Sequence, residues 1–187
     1  RSQQEGNGGW GRPTGLAVLC FLEKRSNPDW NAPSQGYRGM EAADQERVRN
    51  GIRYCIDSVA GFTPGGMPQS YDTGACLMAM SSYLSSGGPN DVGAQRPVID
   101  ALRAGSDNLN RTQGAQGCNQ GGWNYTTPSN DGDLSTTQFA MAGLHAAGRV
   151  YPEAAAQLPR SVTFIDNTRG AGDGHSYRCG RNSPTSQ

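Results

Sequence analysis

Gly121-Gly122-Trp123-Asn124-Tyr125, followed by Asp133-Leu134-Ser135-Thr136-Thr137-Gln138-Phe139-Ala140-Met141-Ala142-Gly143-Leu144, is the stretch on which the fold turns. A glycine pair ahead of an aromatic residue marks a loop. Asp133 suits a helix N-cap, because its carboxylate can accept from an orphan backbone N–H at the positive helix end. The run after it is small or apolar on nearly every face, the pattern of a helix enclosed by other helices.

The same order recurs along the chain. Gly8-Gly9-Trp10 precedes Thr14-Gly-Leu-Ala-Val-Leu-Cys-Phe-Leu22, and Gly65-Gly66-Met67 precedes Asp72 and Thr73-Gly-Ala-Cys-Leu-Met-Ala-Met80. Asp173-Gly174-His175 is a degenerate fourth signal. The second glycines fall at 9, 66, 122 and 174, a spacing of 57, 56 and 52 residues, so a repeat is expected. Thr14, Thr73 and Thr137 read as hydroxyl starts of the buried helices. Between these runs lie amphipathic segments. Residues 44–59 align Val48, Ile52, Cys55, Ile56 and Val59 on one face, and 96–109 align Val98, Ile99, Leu102 and Leu109. Residues 153–166 align Leu158, Val162 and Ile165, with Pro159 placed to begin or break a helix. Strand-like alternation is absent.

The expected architecture is all-α, with loop, buried helix, loop and amphipathic helix as the unit. One domain over 1–187 holds about three to three and a half such repeats, at 6–61, 62–114, 115–169 and a partial 170–187. The chain begins with Arg1 and ends in Asn182-Ser-Pro-Thr-Ser-Gln187, a string like the start of the third buried helix. It is therefore expected to be a piece of a longer chain. Its open ends would be covered by the rest of that parent or by other copies.

Composition narrows the partners. Leu, Ile, Val and Phe number 10, 4, 7 and 4, so the core must lean on Ala, Met, Cys, Gly and aromatic residues. Sixteen basic and 16 acidic residues cancel, which excludes the basic stripe that a nucleic-acid partner needs. The longest apolar run, Leu16 to Leu22, is far short of a membrane span. Lys24 is the sole lysine, and Asn and Gln supply 12 residues each. That balance leans towards an exported protein and equally suits a GC-rich genome. Cys20, Cys55 and Cys76 read as small core residues. Cys118 and Cys179 lie in Gly-rich loops and can pair in an oxidising compartment.

The Gly-Gly-Trp-Asn-Tyr loop and the capped, Ala-rich run after it resemble the repeat of squalene and oxidosqualene cyclases and their protein prenyltransferase relatives. The resemblance extends through the repeats over essentially the whole chain, and it specifies architecture more than activity. It implies an α/α toroid, with inner and outer helices alternating around an apolar central cavity. The cyclase acid signature, Asp-x-Asp-Asp before Thr, has its nearest counterpart in Asp131-Gly132-Asp133-Leu134-Ser135, with Leu134 where the third acid belongs. Asp131 and Asp133 are the candidate catalytic residues, with capping as the other reading of Asp133. The prenyltransferases bind zinc through Asp, Cys and His. Asp173, His175 and Cys179 are the candidate metal ligands here, at a spacing that does not match. His145 reads as a core histidine. Gly117-Cys118-Asn119-Gln120 lacks the spacing and the Glu of a complement-type thioester.

Trp10, Trp123, Tyr125 and Tyr177 are the candidate binding residues, because aromatic faces hold cations and apolar ligands. Tyr71 recurs beside these loops as well, and the competing reading makes each of these aromatics a wedge between helices. Asn110-Arg-Thr112 and Asn124-Tyr-Thr126 fit the glycosylation pattern. No cofactor is implied. The expected function is a non-catalytic toroid module for protein interaction, self-assembly or apolar ligand binding. The other reading is a fragment of a squalene or terpenoid cyclase-like enzyme.

Overall fold

The structure is a computed structural model that describes residues 4–25, 31–60, 69–125, 131–170 and 174–179. Among these residues the chain is all-α. Six helices follow in order: α1 Thr14–Leu22, α2 Ala42–Ala60, α3 Gln69–Ser85, α4 Val98–Thr112, α5 Leu134–Ala147 and α6 Arg160–Asn167. Short 3-10 turns occupy Gly117–Asn119 and Pro152–Gln157. Extended pairing is confined to two isolated bridges, Asp133 with Arg178 and Arg169 with His175.

The amphipathic segments bury the faces their spacing assigns. Val48, Ile52, Cys55, Ile56 and Val59 of α2 are all buried, as are Val98, Leu102 and Leu109 of α4. They enclose α3, whose Cys76, Leu77, Met80 and Tyr83 are buried in turn. Pro159 serves as the N-cap of α6. There the expected face is wrong, because Val162 is 57% exposed and Ser161 and Phe164 are the buried pair.

Helix α3 is the hub, packing on α1, α2, α4 and α5. Its contacts with α1 and α5 are made backbone to backbone. A Cβ added to Gly15 of α1 would lie 2.6 Å from the Ala75 carbonyl carbon. One added to Gly143 of α5 would lie 2.6 Å from the Gly74 Cα. Consecutive residues of α3 serve the two neighbours. Tyr71 stacks on Phe139 of α5 while Asp72 faces Arg12 ahead of α1. Gly74 meets α5 while Ala75 meets α1. Ser81 donates to the Ala146 carbonyl of α5 at 2.5 Å, and Ser82 to Glu23 after α1 at 3.1 Å. Adjacent residues stand about 100° apart around a helix, so α1 and α5 meet α3 on faces about 100° apart and the row bends. Tyr71 and Met78 fall on the inside of that bend, and both are only half-buried.

Several local expectations are corrected. Thr14, Thr73 and Thr137 do not cap helices: α1 has Pro13 as its N-cap without a side-chain hydrogen bond, α3 starts at Gln69, and α5 is capped by Asp133. Cys55 and Cys76 are buried, but Cys20 is exposed on α1. His145 is exposed in the last turn of α5, where a cation would suit the negative helix end, and is no core residue.

The backbone contact makes a prediction. In an open helix Gly→Ala stabilises by about 1 kcal/mol. Gly74→Ala drives a methyl into the Phe139 backbone and is expected to cost about 2 kcal/mol instead. Urea denaturation measures this, with Gly6→Ala, which meets nothing within 4 Å, as the neutral control.

Candidate functional site

Two glycine-pair loops are described, and both are built the same way. Gly8 and Gly121 have φ of 85° and 88°, a left-handed conformation that glycine adopts at little cost. Each lies against a carbonyl of a later helix, Asn50 in α2 and Arg160 in α6. The following glycines, Gly9 and Gly122, lie on the rings of Tyr54 and Phe164, one helical turn further along those helices. The aromatic residue then donates its backbone N–H to a helix threonine, Trp10 to Thr14 Oγ1 at 2.8 Å and Trp123 to Thr137 Oγ1 at 2.9 Å. The threonines thus staple loop to helix. The loop at Gly65-Gly66-Met67 lies outside the described residues.

Trp123 is fully buried, and its indole N–H donates to the Leu109 carbonyl at 2.8 Å. It offers no open face to a ligand. Trp10 packs at 5.7 Å from the Phe21 ring and beside Gly51. Both tryptophans are wedges.

The loops leave a half-open cavity of about 480 Å³ beside the N-terminal ends of α1, α3 and α5. Arg12, Pro13 and Leu16 line it from α1, Tyr71, Asp72 and Ala75 from α3, and Tyr125 and Ser135 from the α5 side. Its volume lies in the range of small-molecule sites. The Tyr71 ring is held by its stack on Phe139, with centroids 3.8 Å apart. Of the four aromatic candidates, Tyr125 lines the cavity. Tyr177 reaches its wall through a 2.8 Å hydrogen bond to Ser135 Oγ.

Asp72, which stands ahead of Thr73 in the first turn of α3, is the acid of this cavity. Burial pushes its carboxyl up from 3.8 to about 6, against a lowering influence of Arg12. A perturbed acid in a cleft is a functional candidate. Asp72-Thr73 occupies the start of its run much as Pro13-Thr14 does, which could have pointed to the position. The cavity could not be foreseen, because it needs three helices at once.

The candidate acids have other work. Asp133 is fully buried and caps α5, accepting from the Thr136 N–H at 2.7 Å, Thr136 Oγ1 at 3.0 Å and Ser135 Oγ at 2.8 Å. Asp131 is exposed and pairs with Arg178 at 2.5 Å. Neither lines the cavity. Cys179 forms a disulfide with Cys118, with Cα atoms 5.8 Å apart and a sequence separation of 61. Its sulfur is therefore no metal ligand. His175 Nδ1 lies 3.1 Å from Thr168 Oγ1, and Asp173 lies outside the described residues. The disulfide pins the segment 174–179, whose Tyr177 carbonyl accepts the Leu134 N–H at 3.0 Å. Asn110 donates to the Ala154 carbonyl within the packed α4 face, which removes it as a glycan acceptor.

Compared with protein-family models, curated proteins and solved structures, the chain has no match, so the site is read from its own chemistry.

Two predictions follow from this geometry. Trp123→Ala is expected to cost about 3–5 kcal/mol, as truncation of a buried aromatic does, measured by urea denaturation. For Asp72 the folded acid binds its proton more tightly than the unfolded one, so stability falls as pH rises from about 4 through 6 and stays low above. The full shift is equivalent to about 3 kcal/mol, which solvent screening of this half-exposed group reduces to about 1. Asp72→Asn is therefore expected to stabilise the protein by about 1 kcal/mol at pH 8 and to leave it unchanged near pH 4.

Proposed function

We propose that this chain is an arc of an α/α toroid of the squalene cyclase and prenyltransferase type, acting as a non-catalytic module that holds an apolar ligand. The observation that carries the ligand reading is the cavity walled by Leu16, Pro13, Ala75, Tyr71 and Tyr125 at the N-terminal ends of three helices. Two further features support the architecture. The glycine-pair loops at Gly8 and Gly121 repeat the same contacts. The angle of about 100° at α3 between α1 and α5 is near the corner of a ring of about five inner helices. In this reading α1, α3 and α5 are inner helices, and α2, α4 and α6 are outer ones. Half-exposed Leu16 and Leu19 of α1 would meet the rest of a longer parent chain or another copy. The Cys118–Cys179 bridge suits an oxidising, exported setting. No helix among the described residues is long and apolar enough to cross a membrane.

A neutral, environment-sensitive dye, N-phenyl-1-naphthylamine, tests the cavity. The folded chain is expected to enhance its fluorescence, and Leu16→Trp, which fills the cavity wall, should weaken binding at least tenfold while helical circular dichroism persists. Absence of dye binding by the folded wild-type chain would refute the reading.

Asp72 favours a second reading, a fragment of a cyclase-like enzyme with this carboxyl as its acid. Turnover of squalene or a prenyl diphosphate by the purified chain, abolished by Asp72→Asn, would establish it in place of the first.

A further inference from the structure

We propose that the ligand of this cavity is a protonated amine on an apolar body, with the Asp72 carboxylate as counter-ion and the Tyr71 and Tyr125 rings as the wall around the alkyl chain. This rests on the reading of the cavity as a ligand site and adds the chemical class of the ligand.

Arg12, Asp72, Ser135 and the Tyr71 and Tyr125 hydroxyls are the polar side-chain groups that reach the cavity. Ser135 Oγ donates its hydrogen to Asp133 Oδ1 at 2.8 Å. A hydroxyl has one hydrogen, so the 2.8 Å contact with Tyr177 must be donated by the tyrosine. What Ser135 has left for a ligand is a lone pair. Asp72 in its ionised form also only accepts. Asp72 and Ser135 therefore both ask for a donor, beside the Tyr71 and Tyr125 hydroxyls, which can donate or accept. The desolvation that raises the Asp72 carboxyl means that its charge is under-compensated, and an ammonium ion would supply both the charge and the N–H groups. Aromatic side chains are suitable neighbours for such a cation.

Arg12 and three positive helix ends argue for an anion instead. Arg12 is exposed, where its charge is screened. The end of α5 is already answered, because Asp133 takes the Thr136 N–H and Tyr177 the Leu134 N–H. The end of α3 carries Asp72 in its first turn, so an anion entering the cavity meets that carboxylate.

Isothermal titration with three probes of equal chain length decides the matter: hexylammonium, hexanol and hexanoate. At pH 7.5 hexylammonium is expected to bind at least tenfold more tightly than hexanol, and hexanoate more weakly than either. Asp72→Asn, checked for its fold by circular dichroism, should abolish the preference for the amine while leaving hexanol binding intact. The pH profile gives a second readout. A simple alkylamine remains protonated between pH 5 and 8, so its affinity should rise as Asp72 ionises, with a midpoint near or below 6. The other titratable groups at the cavity are the Arg12 guanidinium ahead of α1 and the Tyr71 and Tyr125 hydroxyls. Tyr54 on α2, which burial pushes up, feels both Asp72 and the Glu5 carboxyl, so Glu5→Gln serves as the control that keeps the pH midpoint if Asp72 is the group that titrates. If hexanol binds as tightly as hexylammonium, or Asp72→Asn keeps the preference, the amine proposal is wrong while the apolar site survives. If hexanoate binds best, Arg12 is the handle and the proposal is wrong. If no probe binds, the reading of the cavity as a ligand site falls with it.

Discussion

Everything in this molecule depends on how closely α3 approaches α1 and α5. Gly15, Gly74 and Gly143 leave no room for a Cβ between the helices, so backbones touch where other proteins interpose Leu or Ile. The gain is dispersion between densely packed main-chain atoms, and the cost is the conformational freedom that each helical glycine loses. This explains how so few large aliphatic residues suffice. The larger ones are reserved for the other side of α3, where Leu77, Met80 and Tyr83 meet the Val48, Ile52 and Leu102 side of the core.

Close contact also fixes direction. Because Gly74 and Ala75 are consecutive, the faces given to α5 and α1 differ by a single helical step. The row must curve, and its inner side carries Tyr71 and Met78 with little above them. The loops complete the arrangement from outside the row. Gly8 and Gly121 press on carbonyls of α2 and α6, and Trp10 and Trp123 are stapled to threonines of α1 and α5. One loop therefore ties α1 to α2 and the other ties α5 to α6, and the cavity opens beside the N-terminal ends of α1, α3 and α5.

Much of this was legible in the sequence because it is local or periodic. The α2 face of Val48, Ile52, Cys55, Ile56 and Val59 could be read directly, as could the Asp133 cap and the break at Pro159. What failed was whatever depends on a neighbour. Thr14 and Thr137 look like caps, yet their hydroxyls are claimed by Trp10 and Trp123. Val162 fits the helical period of α6, but Gly121 and Gly122 sit on Arg160, Ser161 and Phe164 and so choose a different face. Cys20 and His145 occur in apolar runs and are exposed, because α1 and α5 are not surrounded on all sides. The site was hidden for the same reason. Trp123 attracted attention by its motif and proved to be core, whereas Tyr71, one of the aromatics near the glycine-pair signals, and Asp72 line the cavity.

Asp133 and Asp72 show how differently this fold treats two acids at helix starts. Asp72 lies in the first turn of α3 and Asp133 at the cap of α5. Asp133 is wholly buried, but its carboxylate collects hydrogen bonds from Thr136 and Ser135, so burial costs it little. Asp72 is less deeply placed, yet desolvation dominates its environment. A carboxylate kept under-solvated beside a wall of tyrosines destabilises the folded chain. Such a cost persists in proteins chiefly where the group meets something other than the protein itself. The disulfide at Cys118–Cys179 acts on the same wall, since it pins the segment that carries Tyr177, and Tyr177 and Asp133 together fix the orientation of the Ser135 hydroxyl. The covalent bond, the cap and the cavity wall are thus one chain of contacts.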